Sequence, residues 1–151
     1  MENLLHKPET QLNDFVVSIL DKPFTTPEEI TYPRTAQVDF FDRRNKKIDT
    51  IEYGYREAEE LYALLETEKI NLNYCYVKNF SLAEYRIRKQ LQTNHLIILS
   101  KFSAKNSFFD CDVTTDFSFV HFQANKISFE SAIFSSGINN FTGAKFGNAI
   151  V

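Results

Sequence analysis

The sequence has no tryptophan, one methionine, two cysteines, four glycines and four prolines among its 151 residues. Each scarcity excludes something. Gly54, Gly137, Gly143 and Gly147 are too scattered to form a phosphate-cradling loop. Cys75 and Cys111 make neither a disulfide framework nor a Cys-x-x-Cys metal pair, and they read as structural thiols. His6, His95 and His121 lack metal-ligand spacing, and no Gly-x-Ser-x-Gly or Cys/His signature marks a nucleophile. Asp110, Asp112 and Asp116 cluster beside Cys111 and Thr114, but their spacing and the missing glycine do not fit a calcium loop. The expectation is a non-enzyme with no cofactor, no metal and no catalytic residue. No apolar run approaches eighteen residues, so no membrane helix is expected. The opening Met-Glu-Asn-Leu-Leu-His-Lys-Pro lacks the basic and apolar segments of a signal peptide, which points to the cytoplasm.

What the chain does have is phenylalanine, fifteen of them, in a five-residue period from residue 70 onward. Paired positions two apart recur as Ile70/Leu72, Cys75/Val77, Phe80/Leu82 and Tyr85/Ile87. They resume out of step as Ile97/Leu99, Phe102/Ala104, Ser107/Phe109, Asp112/Thr114, Phe117/Phe119, Phe122/Ala124, Ile127/Phe129 and Ala132/Phe134. A further slip leads to Asn139/Phe141, Ala144/Phe146 and Ala149/Val151. Between 97 and 134, thirteen of these sixteen positions are apolar, against about seven expected from a chain that is 43% hydrophobic. A period of five is neither that of a strand nor that of a helix. A short fixed repeat predicts a solenoid, with the paired positions inward. At the polar pair Asp112/Thr114 a rival register places Phe108, Cys111 and Val113 inside.

The segments Phe129-Glu-Ser-Ala-Ile-Phe134 and Phe141-Thr-Gly-Ala-Lys-Phe146, with Ala149-Ile-Val151, resemble the Phe-rich branch of the pentapeptide-repeat family. The resemblance covers about half the chain. It implies a mainly β fold, a right-handed quadrilateral β-helix over residues 70–151 whose four sides are five-residue units. The series reaches Val151 in mid-repeat, which predicts either a homodimer through an open C-terminal coil or a longer chain.

Residues 1–69 read as an α+β cap or interaction segment. A helix is expected over Thr10–Leu20, with Leu12, Phe15, Val16 and Ile19 on one face and Thr10 as its N-cap. Pro23, Pro27 and Pro33 mark an irregular stretch. Gln37–Phe41 and Ile48–Tyr53 are expected strands about a charged turn, and Tyr55–Thr67 an expected helix with Ala58, Leu61, Leu64 and Leu65 toward a core.

Acidic members of the family mimic DNA and bind type II topoisomerases. Here, from 101 to 151, Lys101, Lys105, Lys126 and Lys145 are balanced by Asp110, Asp112, Asp116 and Glu130. A net charge of −3 and a pI near 5.6 also argue against nucleic acid as partner. The basic run Arg86-Ile-Arg88-Lys89 is expected to be a solvated face, with Arg86 and Arg88 outward because Tyr85 and Ile87 point in. The expected function is a protein-interaction or structural scaffold with an unnamed protein partner and no membrane. A DNA-mimicking gyrase modulator is the alternative.

Overall fold

A computed structural model describes residues 14–123, 127–135 and 138–146. The fold is mainly β, 48% strand and 13% helix, and it divides between Tyr55 and Arg56 into two compact units. The expected Thr10 cap, inward Ala124, the final pair Ala149/Val151 and the expected open C-terminal coil lie outside the described residues.

The first unit contains β1 (Asp14–Leu20), β2 (Phe24–Thr25), β3 (Thr31–Tyr32), β4 (Thr35–Phe41) and most of β5 (Lys47–Glu57). Where a helix was expected, β1 is a strand, paired antiparallel with β4 from Asp14 opposite Phe41 to Leu20 opposite Thr35. Apolar residues at 12, 15, 16 and 19 fit a helical face. However, Phe15-Val-Val-Ser-Ile19 is rich in β-branched side chains, and the ladder with β4 outweighs the periodicity. The strands expected at Gln37–Phe41 and Ile48–Tyr53 are the centres of β4 and β5, which pair antiparallel with a bulge at Phe40/Phe41. Their turn is fixed by Asp42, whose carboxylate accepts from the Arg44 and Lys46 amides at 2.8 and 3.0 Å. Those amide bonds, Lys46 first, lower the Asp42 pKa. The proline-rich stretch folds into the β2–β3 hairpin about buried Thr26, whose hydroxyl accepts from the Glu28 and Ile30 amides. Ala36, Val38, Phe40 and Tyr53 are buried on one face of the sheet.

The second unit opens with α1 (Ala58–Leu64) and a 3₁₀ turn (Leu65–Thr67). These occupy the expected helix, with Ala58, Leu61, Tyr62 and Leu65 buried and Leu64 half-buried. Then follow β6 (Lys69–Asn71), β7 (Cys75–Lys78), α2 (Leu82–Arg88), β8 (Ile97–Leu99), β9 (Lys101–Ser103), β10 (Phe108–Asp110), β11 (Thr114–Asp116), β12 (Val120–Phe122), β13 (Ile127–Ser128), β14 (Ile133–Phe134), β15 (Ile138–Asn140) and β16 (Lys145–Phe146). These strands form four parallel ladders. Ile70 lies against Phe102 and Phe102 against Ile127; Tyr76 against Phe108 and Phe108 against Ile133. Ser81 bridges to Asp116, which faces Asn140. Ile98 lies against His121 and His121 against Lys145.

One local turn recurs at residues 71–75, 103–107, 116–120, 128–132 and 140–144. Its fourth residue has positive φ: Tyr74 (62°), Asn106 (53°), Phe119 (50°), Ser131 (57°) and Gly143 (70°). In four cases the first side chain accepts from the amide two residues on: Asn71 from Asn73, Asp116 from Ser118, Ser128 from Glu130 and Asn140 from Thr142. That bond mimics a backbone turn and favours Asn, Asp and Ser. A non-glycine residue at positive φ costs on the order of 1 kcal/mol. Stacking offsets it, because each turn bonds through its backbone to the turn of the next strand layer. The Leu72 and Tyr74 amides donate to Ser103 and Lys105, those of Ala104 and Asn106 to Ser128 and Glu130, and those of Phe117 and Phe119 to Asn140 and Thr142, all at 2.7–2.9 Å.

The same stacking builds aromatic columns. Phe109 lies on Phe134 (4.9 Å, 11° between planes), Phe117 on Phe141 (5.3 Å, 5°) and Phe122 on Phe146 (5.1 Å, 24°). Phe117, fully buried, also meets the rings of Phe80, Phe102, Phe109, Phe122 and Phe129.

Several expected inward positions differ. Asp112 is exposed and Thr114 half-buried. The rival register fails too, since Phe108 and Phe109 are both buried while Val113 is 72% exposed. Residues 111–113 leave the ladder between β10 and β11, so neither register applies there. Ile87 is 67% exposed because the chain is helical at that point. Asn139 and Phe146 are exposed as well.

Phe117→Ala is expected to cost ~3–5 kcal/mol in urea unfolding, and Phe146→Ala, half-exposed at the last ring of its column, well under half of that. Burial, reinforced by the Asp49 charge, raises the Tyr53 phenol from 10.0 to about 12. An unfolded phenol ionises first, so stability held below pH 10 should be lost as pH rises from 10 toward 12. Tyr53→Phe should reduce that loss in denaturation midpoints measured across the range.

Candidate functional site

The feature least anticipated is the excursion from Ser81 to Leu96 between β7 and β8. Ser81 caps α2, its hydroxyl accepting from the Glu84 amide at 3.1 Å. Ser81-Leu-Ala-Glu84 has the residue types of a capping box, and Arg86 and Arg88 fill the last turn where cations favour the helix dipole. Leu82 and Tyr85 face the core. Tyr85 meets Tyr62 of α1 at 5.6 Å and Tyr62 meets Phe80 at 5.9 Å. The Ser81 amide donates to the Tyr62 hydroxyl at 3.2 Å.

Arg86, expected outward, is 1% exposed. Its Nε donates to the His95 carbonyl at 2.8 Å. One terminal nitrogen donates to the Ser118 hydroxyl at 3.3 Å, and the other to the Ser118 and Phe119 carbonyls at 2.6 and 3.3 Å. The guanidinium also lies 5.8 Å from the Phe119 ring. Burial lowers its pKa and the Asp116 charge opposes that shift, and guanidinium stays protonated in proteins. Arg86 therefore ties α2 and the loop after it to the turn at 116–120. Strict alternation mispredicts it because residues 82–88 have a helical period, and because its partners lie at residues 95, 118 and 119.

The remaining basic residues of this run carry acidic partners. Arg88 pairs with Glu59 and, at 3.0 Å, with Glu84, and its guanidinium lies 5.4 Å from the Tyr62 ring. Lys89 sits 3.8 Å from Glu66. The hydrogen bond and charge of Arg88 lower the Glu59 pKa.

The aspartates do not converge as ligands. Asp110, largely buried, accepts from the Tyr76 hydroxyl and, at 2.9 Å, from Ser135. Lys78 lies 3.5 Å from both Asp110 and Asp112. Burial pulls the Lys78 pKa down, but the charges and hydrogen bonds of Asp110 and Asp112 outweigh it and leave it raised. Asp116 accepts the Ser118 amide at 2.7 Å. Among the described residues, no three His, Cys, Asp or Glu group as metal ligands, and no helix is long and apolar enough to cross a membrane.

Cys75 is buried and Cys111 half-buried; the Cys75 thiol donates to the Asn73 carbonyl at 3.4 Å and the Cys111 thiol to the Thr114 carbonyl at 2.8 Å. His6 lies outside the described residues. His121 is half-buried on β12, between Ile98 and Lys145 in its ladder. His95 lines an open cleft of about 200 Å³ with Leu65, Glu66, Tyr85 and Leu91. Glu68, Leu96, Ile97 and Ile98 complete its lining. Arg86→Ala should destabilise the chain by ~3 kcal/mol in urea unfolding, because it strips donors from the His95 and Ser118 carbonyls. Arg88→Ala, on the surface, should cost under ~1 kcal/mol.

No family model, no curated protein and no solved structure matches the chain in sequence or fold comparisons.

Proposed function

We propose that residues 69–146 form a right-handed quadrilateral β-helix of the pentapeptide-repeat kind, and that the protein is a non-enzymatic scaffold that binds another protein. The observation that carries this reading is the return of the chain to the same four parallel ladders, with the same turn stacked at matching corners. Such a framework holds outward side chains in fixed columns and recognises a partner without a deep pocket. One column runs through Lys69 and Lys101, a second through Asn71, Ser103 and Ser128, and a third through Ile98, His121 and Lys145. Their chemistry is mixed and their charge low.

The gyrase-modulator alternative needs a dense negative surface. The balance of lysines and acids from 101 to 151 does not supply it.

The β-helix reading predicts that the amides of Phe102, Phe108 and Phe122, each with a ladder neighbour on both sides, exchange with solvent more slowly than those of β13–β16. Uniform exchange across the layers would contradict it. For function, micromolar protein should leave gyrase supercoiling unchanged and should not retard duplex DNA at physiological salt. Inhibition of supercoiling would instead support DNA mimicry.

A further inference from the structure

We infer that the turn between β4 and β5 docks a short acidic segment of a partner protein, with Arg43, Arg44 and Lys46 holding its carboxylates. Residues 42–47, Asp-Arg-Arg-Asn-Lys-Lys, carry four cations against one acid, a net +3. The other described residues of the first unit carry two cations against seven acids, a net −5. Positive charge is therefore concentrated at one hairpin tip. Lys47 lies 3.7 Å from Asp39. Arg43, Arg44 and Lys46 are exposed, and none of the three makes an ion pair among the described residues.

The tip is held in one shape. The Asp42 amide donates to the Lys46 carbonyl at 2.9 Å and the Asn45 amide to the Asp42 carbonyl at 3.0 Å. The Asp42 carboxylate accepts from the Arg44 and Lys46 amides. Asn45 takes the positive φ of 63° that closes the turn. The cations thus stand on a fixed backbone, which lowers the ordering cost of binding.

The occupant follows from charge and size. Guanidinium forks match carboxylates and bind them in pairs. Charges interact across a Debye length of about 8 Å at physiological salt. A duplex or a lipid surface extending past the tip would come within reach of the unit's seven acids. A segment of a few acidic residues meets the tip alone. Ile48, next along β5, is 49% exposed, so an apolar side chain beside the acids gains a contact that a phosphate backbone does not offer. This inference rests on the reading of the protein as one that binds another protein, and puts a contact on the first unit in addition to the ladder columns.

In amide correlation spectra of the full chain at 50 mM salt, the peptide Asp-Glu-Leu-Asp-Glu-Asp should shift the amides of residues 42–48 saturably. Its Kd should be sub-millimolar and weaken at least about threefold at 200 mM salt. The neutral peptide Asn-Gln-Leu-Asn-Gln-Asn should shift nothing. The double variant Arg43→Gln/Arg44→Gln, with unchanged circular dichroism, should bind at least about fivefold more weakly. Lys69→Gln/Lys101→Gln removes the same charge from a ladder column and should bind as the parent does. Equal loss in the two double variants would reveal unspecific attraction and overturn the inference. So would a twenty-base-pair duplex or phosphatidylserine vesicles that bind the tip more tightly than the peptide. Absence of any shift would remove the tip as a docking point and leave the ladder columns as the binding surface. Shifts confined to the Lys69 and Lys101 amides would also overturn the inference while supporting those columns.

Discussion

The second unit depends on the stacking of one backbone turn upon another. At five recurring turns the chain takes the fourth residue through positive φ, four of them not glycine. Alone, each such turn is strained. Stacked, its amides meet the carbonyls of the next turn at 2.7–2.9 Å, and the apolar residue inside it lands on its counterpart. Phe117 over Phe141 is the clearest case, with planes 5° apart. Backbone pairing and ring stacking thus need the same spacing, that of neighbouring strands. A turn that slipped by one residue would lose both.

Against this regular frame, the excursion at residues 81–96 stands out as the place where sequence and repeat part. Ser81 still bridges to Asp116, after which the chain turns helical and returns to a ladder only at Ile97. A seven-residue helix has little stability of its own. It is held by the contacts of Tyr62 with Tyr85 and Phe80 and by Arg86, whose buried guanidinium spends its donors on the His95, Ser118 and Phe119 backbone and the Ser118 hydroxyl. What looks in sequence like a basic patch is one structural cation and two cations with acidic partners. The ladders of this unit present columns of mixed polarity, and a protein partner is the reading we propose.

Much of this was legible from residue types. Ile70/Leu72, Cys75/Val77, Ile97/Leu99, Phe102/Ala104 and Ser107/Phe109 are all buried pairs, each with at least one member in a ladder strand. The period failed where the backbone left the ladder. Tyr85 and Ile87 fit the series by type, but the capping signal Ser81-x-x-Glu84 and the closing Arg86 and Arg88 pointed to a helix, which exposes Ile87. Asp112 and Val113 are exposed for the same reason, in a corner loop. In the first unit a helical spacing of apolar residues coincided with a β-branched run, and only long-range pairing with β4 decides between them. Arg86 could not be placed from sequence at all, since its partners are carbonyls remote in the chain.

The central claim is that successive layers pair in parallel register, and backbone nuclear Overhauser effects test it most directly. The account predicts amide–amide and amide–Hα cross-peaks linking the parallel neighbourhoods of Phe102 with Ile127, Phe108 with Ile133, and His121 with Ile98 and Lys145. An antiparallel pattern between these segments, or strong cross-peaks between sequence-adjacent strands such as β9 and β10 in place of them, would contradict it.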